Sequence, residues 1–153
     1  MKIFKIFLLS SFIFIITERI NAQNISGFIG NGTVKKGSSV RGVVILEIPD
    51  GLHVNSNRPN NQYAIPTTLR LYSKDVNVGK VLYPRGKDKK FPFNENPINI
   101  YEGKVRFIFS VKVPQSFKGK TIKVRAVVRY QACNDEVCFP PKEKEVLLTA
   151  RVV

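Results

Sequence analysis

The sequence lacks the histidines and cysteines that most metal and protease sites require. Among its 153 residues there is one histidine, His53, and there are two cysteines, Cys133 and Cys138, while tryptophan is absent. A zinc site needs four ligands, more than these three side chains provide, and they do not form the Cys–His–Asn set of a cysteine protease. We therefore expect no cofactor. For His53, which follows a turn, we expect a place at the surface or at the end of a strand.

Beyond its first 22 residues, the sequence has no apolar run that approaches the length of a membrane span. At the N-terminus, two lysines precede the apolar run Ile6–Ile16, and the small residue Ala22 offers a cleavage point. This pattern is typical of a secretory signal peptide, with an uncleaved membrane anchor as the alternative. We predict a signal peptide over residues 1–22. After cleavage we expect a soluble, monomeric domain over residues 23–153, in the periplasm or outside the cell.

Acidic residues are scarce relative to basic ones. Lys and Arg number 25 against 11 Asp and Glu, which gives a formal net charge of +14. A basic surface speeds encounters with acidic partners and anionic membranes. Nucleic acid is not expected as a partner, because the protein is predicted to be exported and no basic stripe is interleaved with stacking aromatic residues.

Helical periodicity is also lacking, since no window of helical length carries an apolar stripe of period 3.6. Apolar residues instead alternate with polar ones over residues 40–48, 69–71, 105–113 and 122–130. Such alternation is typical of half-buried antiparallel strands, and turn-forming residues separate the runs. We predict an all-β, single-domain protein with an immunoglobulin-like antiparallel β-sandwich fold.

One stretch, Gly86–Asn99, does not alternate. It contains two prolines, three lysines and two phenylalanines, Phe91 and Phe93. We expect a long irregular loop, which in a compact domain is usually functional or mobile. Its phenylalanines are expected to pack on another part of the protein.

Cys133 and Cys138 form an isolated pair with four residues between them. The alternation of the strand before them places Cys133 on the charged face, so its thiol is predicted to point away from the main core, where a partner can reach it. Residues 146–152 alternate again, which predicts a hairpin. A four-residue loop over 134–137 would then set the two cysteines opposite each other, within reach of a disulfide.

The role of this pair is open from composition and spacing alone. A bond that closes such a short ring contributes only about 2 kcal/mol to stability, and a domain of this size does not need a staple. Reversible redox chemistry and a structural bridge therefore both remain possible. Copper(I) binding by the two thiols and a neighbouring residue is a further alternative.

The residues around the pair carry a resemblance. Val128-Arg129-Tyr130-Gln131-Ala132-Cys133, followed by Cys138-Phe139-Pro140-Pro141, resembles the N-terminal periplasmic domain of the DsbD family of membrane thiol–disulfide reductases. The resemblance extends more loosely to the stretch Gly51–Ser56, to Tyr83-Pro84 and to Ile100–Gly103.

The resemblance implies an immunoglobulin-like domain that relays electrons from a thioredoxin-like module to periplasmic disulfide proteins. Cys138 would form mixed disulfides, Cys133 would resolve them, and Phe93 or Phe91, with Phe93 preferred, would shield the pair from a cap loop. The protein would be an exported thiol–disulfide oxidoreductase whose partners are thioredoxin-like redox proteins and a membrane electron donor. We expect these to be separate proteins, because the chain carries neither the family's membrane domain nor its thioredoxin-like module. The alternative is an immunoglobulin-like adaptor with a structural disulfide and a basic docking face.

Overall fold

The computed structural model of the protein describes residues 23–92 and 94–153, and every regular element in these ranges is a β-strand. The predicted signal peptide and Phe93 lie outside the described residues. Among the residues described there is no helix long and apolar enough to cross a bilayer. The strands are β1 (Asn24–Ile29), β2 (Thr33–Val34), β3 (Ser39–Glu47), β4 (His53–Asn55), β5 (Thr68–Tyr72), β6 (Asn77–Val78), β7 (Lys87–Lys89), β8 (Ile98–Tyr101), β9 (Lys104–Lys112), β10 (Thr121–Tyr130), β11 (Ala132–Cys133) and β12 (Lys142–Val152).

The long strands form where apolar and polar residues alternate. In β9, exposed and buried residues alternate from Lys104 to Lys112. The exception is Ile108, which lies on the outer face and is partly buried. In β10 the same alternation buries Ile122, Val124, Ala126 and Val128. Successive side chains of a strand point to opposite faces of the sheet, so each of these strands turns a continuous apolar face inward.

Two sheets enclose the main core. One has the order β1-β3-β9-β6 and the other β2-β12-β10-β5, and every strand pair is antiparallel except β2 with β12. The core between them is almost entirely aliphatic and aromatic, with Val44, Leu46, Val105, Phe107, Phe109 and Val111 from the first sheet and Ile122, Val124, Ala126, Val128, Leu148 and Ala150 from the second. The prediction of an all-β immunoglobulin-like antiparallel sandwich is confirmed.

A third, smaller sheet was not predicted. It has the order β11-β4-β8-β7 and is built from strands of two to four residues. The expectation that Gly86–Asn99 is irregular throughout is wrong, because β7 and the start of β8 lie inside it and pair from Lys87↔Ile100 to Lys89↔Ile98. Lys and Asp are depleted in strands, so β7 has no strand signature of its own and forms by pairing with β8.

The two faces of this third sheet have different surroundings. One face carries three paired residues that belong to the main core: Ala132 of β11, Val54 of β4 and Tyr101 of β8. The opposite face carries His53 and Cys133, which are paired neighbours. Phe91, Ile98 and Ile100 form a second, separate hydrophobic cluster near the β7–β8 hairpin. The third sheet thus divides the main core from a small apolar layer beside the cysteines.

Candidate functional site

Cys133 and Cys138 are joined by a disulfide across a tight loop. Their Sγ atoms are 2.00 Å apart and their Cα atoms 4.0 Å apart. The loop is closed by the amide of Asn134, which donates to the Val137 carbonyl at 2.9 Å, and by the amide of Phe139, which donates to the Ala132 carbonyl at 2.8 Å. The predicted hairpin therefore forms: β10 pairs with β12 along its whole length, and the cysteine loop projects from the end of that pair.

The two cysteines differ in their exposure to solvent. The Cys133 side chain points away from the main core, as the strand alternation predicts, but Cys133 is only 1% exposed. The expectation that a partner can reach the Cys133 thiol is therefore wrong. The alternation in the sequence indicates only the main core, on one side of the strand. The third sheet and the second apolar cluster cover the other side, to which the Cys133 side chain points. Cys138, in contrast, is an exposed residue.

His53 lies beside the disulfide. It opens β4 directly opposite Cys133 and is 3% exposed. Its ring stacks on Phe91 with centroids 4.7 Å apart and an interplanar angle of 28°. The expected place at a strand end is correct, whereas a surface position is wrong. The sequence signal for its place at the site is that His53 lies in the stretch Gly51–Ser56, which shares the resemblance, while its burial depends on the β4–β11 pairing.

Phe91 is buried and belongs to the site, whereas the preferred cap candidate, Phe93, falls outside the described residues. Phe91 is 2% exposed and packs with Ile98 and Ile100. The Lys89 ammonium lies 5.4 Å from the centre of its ring. The shielding role expected for either phenylalanine stays a prediction.

A lysine connects the β7–β8 hairpin to the cysteine loop. Lys89 Nζ lies 3.2 Å from Asp135 Oδ1, between the two cysteines in the chain, and 3.3 Å from Glu102 Oε1. The hydrogen bond with Asp135 is the largest of the effects that raise the pKa of Lys89. The strand next to Phe91 is thereby attached to the loop that carries the disulfide.

A buried amide joins the stretches that carry the sequence resemblance. Asn55 Nδ2 donates to the Ile65 carbonyl at 3.0 Å and to Gln131 Oε1 at 3.3 Å. Asn55 comes from the stretch Gly51–Ser56 and also pairs with Ile100 of β8, while Gln131 precedes the cysteines. Three stretches far apart in the chain therefore meet in the third sheet, around the disulfide.

The disulfide opens onto a shallow cleft of about 310 Å³, whose walls include both cysteines, His53, Gln131 and Tyr63. Tyr63 is 85% exposed, and near the exposed sulfur Val137 and Phe139 are 53% and 41% exposed. Such apolar exposure around a reactive atom favours contact with another protein. Within residues 23–92 and 94–153, no three His, Cys, Asp or Glu side chains are grouped so that they could hold a metal ion.

Comparisons with known proteins agree with this geometry. Residues 31–150 match the family described as "Thiol:disulfide interchange protein DsbD, N-terminal". A thiol:disulfide interchange protein DsbD from Pseudoalteromonas atlantica is 28% identical over 102 residues, which are 66% of this chain and 16% of that protein. The chain thus matches only about a sixth of the length of this relative.

Two solved structures are similar to the chain. The N-terminal periplasmic domain of ScsB from Proteus mirabilis covers 81% of this chain, which in turn covers 44% of that one, with 11% identity and a TM-score of 0.53. The reduced N-terminal domain of DsbD from Neisseria meningitidis covers 72% of this chain, which covers 80% of that one, with 19% identity and a TM-score of 0.45. The ScsB similarity supports the fold alone.

The family match spans most of the chain and includes both cysteines, of which Cys133 is buried and Cys138 is exposed and which are joined by a disulfide. Thiol–disulfide interchange is the chemistry of this family. The chain therefore belongs to the family of N-terminal domains of the thiol:disulfide interchange protein DsbD.

Proposed function

We propose that this protein is an exported thiol–disulfide oxidoreductase that relays reducing equivalents between thioredoxin-like partners through a reversible Cys133–Cys138 disulfide. The observation that carries the proposal is the asymmetry of the bond, with Cys138 exposed and Cys133 1% exposed. A bond with a single accessible sulfur directs every partner to the same atom.

In the first half of the relay the protein is reduced. A partner thiolate attacks Cys138 Sγ, the disulfide breaks, and its electron pair leaves with Cys133, which takes up a proton. A second partner thiolate then attacks the partner sulfur of the mixed disulfide and releases Cys138. The partner becomes a disulfide, and this protein holds two thiols.

In the second half these electrons are delivered. The Cys138 thiolate attacks a disulfide of the acceptor and expels one acceptor sulfur as a thiolate. Cys133 loses its proton and attacks Cys138, which re-forms the internal bond and releases the second acceptor sulfur. Two electrons and two protons have then passed to the acceptor.

The partners are proposed to be thioredoxin-like domains and, upstream, a membrane electron donor, with the relay in the periplasm. This follows from membership of the DsbD family and is supported by the exposed apolar side chains of Val137 and Phe139 close to Cys138. The matched part of the relative is only 16% of that protein.

Shielding of the disulfide is proposed to come from the β7–β8 hairpin. Phe91 stacks on His53, the paired neighbour of Cys133, and Lys89 holds the same hairpin to Asp135 in the cysteine loop. Phe93, two residues after Phe91 in the sequence, is proposed to complete the shield. Access to the buried Cys133 would then require a partner that displaces this hairpin.

Two matched single-cysteine variants test the proposal. Cys133→Ser keeps the exposed sulfur and Cys138→Ser keeps the buried one. Each is loaded with thionitrobenzoate and incubated with a thioredoxin variant that has only its attacking cysteine. We expect a covalent complex to form with Cys133→Ser at least about tenfold faster than with Cys138→Ser, a barrier difference of ~1.4 kcal/mol.

Equal rates for the two variants would contradict the assignment of Cys138 as the attacked sulfur. Failure of both variants to react would favour the adaptor alternative with a structural disulfide. In that case the double variant Cys133→Ser, Cys138→Ser would keep its binding partner, since only a little stability is lost.

A further inference from the structure

We propose that His53 is the proton-exchanging partner of Cys133, which takes the thiol proton when Cys133 resolves a mixed disulfide and returns it when the bond is reduced. The inference rests on the proposed relay for its biological meaning. Its chemistry requires only that the disulfide can be opened.

The geometry places the imidazole next to the buried sulfur. His53 and Cys133 are direct cross-strand partners in the β4–β11 pair. The side chains of such a pair lie on the same face of the sheet, with Cβ atoms about 4.5–5.5 Å apart. Both residues also line the cleft that leads to Cys138, and the Phe91 ring stacked on the imidazole fixes its position.

The surroundings of Cys133 make such a partner necessary. At 1% exposure, a Cys133 thiolate has lost most of its hydration, and burial disfavours the charged form of a thiol. A helix N-terminus, the usual device for lowering a thiol pKa, is absent because the described residues contain no helix. Cys138, in contrast, exchanges its proton with solvent directly.

Three charged groups surround the imidazole: Lys89 on β7, Glu102 after β8 and Asp135 in the cysteine loop. Burial has the largest effect and, together with Lys89, lowers the pKa of His53, while Asp135 and Glu102 act in the opposite direction. His53 is therefore mainly neutral at neutral pH, the form that accepts a proton. The two carboxylates are placed to stabilise the imidazolium once it forms.

The proton transfer balances within the pair. Cys133 S–H and neutral His53 become a thiolate and an imidazolium. The thiolate attacks Cys138, the bond from Cys138 to the partner breaks, and the partner sulfur leaves as a thiolate that takes the proton from the imidazolium through the open cleft. During reduction the same steps run in reverse.

The single histidine allows a direct test by proton NMR on the untagged protein, since its imidazole signal needs no assignment. The protein is titrated in its oxidised form and after reduction with dithiothreitol. Only the reduced form has a second titrating group, the Cys133 thiol, beside the imidazole, and coupling to a thiolate within about 4–6 Å shifts a pKa by ~1 unit or more. We therefore expect His53 to titrate differently in the two forms. Identical midpoints would overturn the proposal.

A kinetic test separates proton exchange from mere packing. The reduced protein reacts with Ellman's reagent in two phases, attack by Cys138 and then resolution by Cys133. In His53→Gln, which keeps a polar side chain that does not titrate, we expect the second phase to slow about tenfold or more at neutral pH and its pH midpoint to rise. The first phase should keep its rate.

A purely structural role for His53 predicts a different result. Loss of packing would change the rates of both phases and leave the pH midpoint of resolution where it was, and that outcome would contradict the proposal. If His53→Gln does not fold, the titration of the natural protein still decides. Since neither test uses a protein partner, a protein that passes both but is not reduced by thioredoxin-like proteins would refute the relay alone.

Discussion

The two sulfurs of one bond lie in opposite environments, and the residues around them account for the difference. Cys133 is buried beside His53 in the third sheet, while Cys138, after the loop 134–137, is exposed. Nucleophilic attack at a disulfide depends on access to the attacked sulfur and on which thiolate leaves. At the residue scale, this difference in burial is the reason why we propose attack at Cys138 and departure of Cys133.

His53 gives the first prediction at this scale, the pH dependence of stability. Burial lowers the pKa of His53 in the folded protein, so the unfolded chain binds more protons in the window below the ordinary histidine pKa of about 6.5. The free energy of unfolding therefore falls as the pH drops through that window, and is unaffected by His53 above it.

Denaturant unfolding of the natural protein and of His53→Gln at several pH values measures this effect. The two proteins share all carboxylates, so the difference between their curves isolates the histidine. We expect the natural protein to lose stability relative to His53→Gln as the pH falls below about 6.5. Parallel curves would show that His53 titrates alike in the folded and unfolded states.

At the scale of elements, the third sheet and its β7–β8 hairpin determine how open the disulfide is. The hairpin is held by short strands, by the small cluster of Phe91, Ile98 and Ile100, and by the ion pairs of Lys89. Segments with few buried contacts open more readily than a main core. The hairpin is therefore the part of the molecule that we expect to move when a partner binds.

Removing the ion pairs should loosen the hairpin slightly. In Lys89→Met the contacts with Asp135 and Glu102 are lost, while Lys87→Met removes an exposed lysine of the same strand as a matched control. Exposed ion pairs contribute about 1 kcal/mol at most, so we expect reduction by dithiothreitol to accelerate up to about fivefold in Lys89→Met only. High salt should abolish the difference. An equal response of the two variants would show that the ion pairs of Lys89 do not hold the hairpin to the cysteine loop.

Removing the buried ring should have a larger effect. Phe91→Ala empties the small cluster beside His53, and losses of buried phenylalanine typically cost about 3–5 kcal/mol. Because the ring lies outside the main core, we expect the disulfide to be reduced more than about tenfold faster, with a smaller change in global unfolding. Phe28→Ala, at a 49% exposed position of β1, is the control. Unchanged reduction kinetics in Phe91→Ala would show that the ring does not shield the site.

The sequence predicts the long elements well and the short ones poorly. The alternation of Ile122–Tyr130 identifies β10 and the direction of the Cys133 side chain, because one face of that strand packs on the main core. β7 has no such pattern, since Lys and Asp are poor strand residues and it depends on β8 for its pairing. The expectation that His53 lies at the surface or at a strand end is correct only for the strand end. Its burial depends on the third sheet, whose strands are too short to show a period.

At the scale of the whole molecule, we expect the main sandwich not to depend on the disulfide. The bond closes a ring of sequence separation 5 at one end of the domain, and both core-forming sheets are complete without it. We expect the double variant Cys133→Ser, Cys138→Ser to remain folded and to lose about 2 kcal/mol of unfolding free energy. Circular dichroism measures the fold, and denaturant unfolding measures the free energy of unfolding.

Phe107→Ala, in the main core, is the comparison and should lose about 3–5 kcal/mol of unfolding free energy. Loss of the fold in the double variant would mark the bond as structural.

The reduction potential of the Cys133–Cys138 disulfide, titrated in the purified protein against glutathione buffers and checked with a thioredoxin-like dithiol, tests the central claim most directly. We predict a potential above about −300 mV, with complete and reversible reduction by the dithiol. A potential well below about −300 mV, together with resistance to the dithiol, would contradict the relay and identify the bond as a structural one.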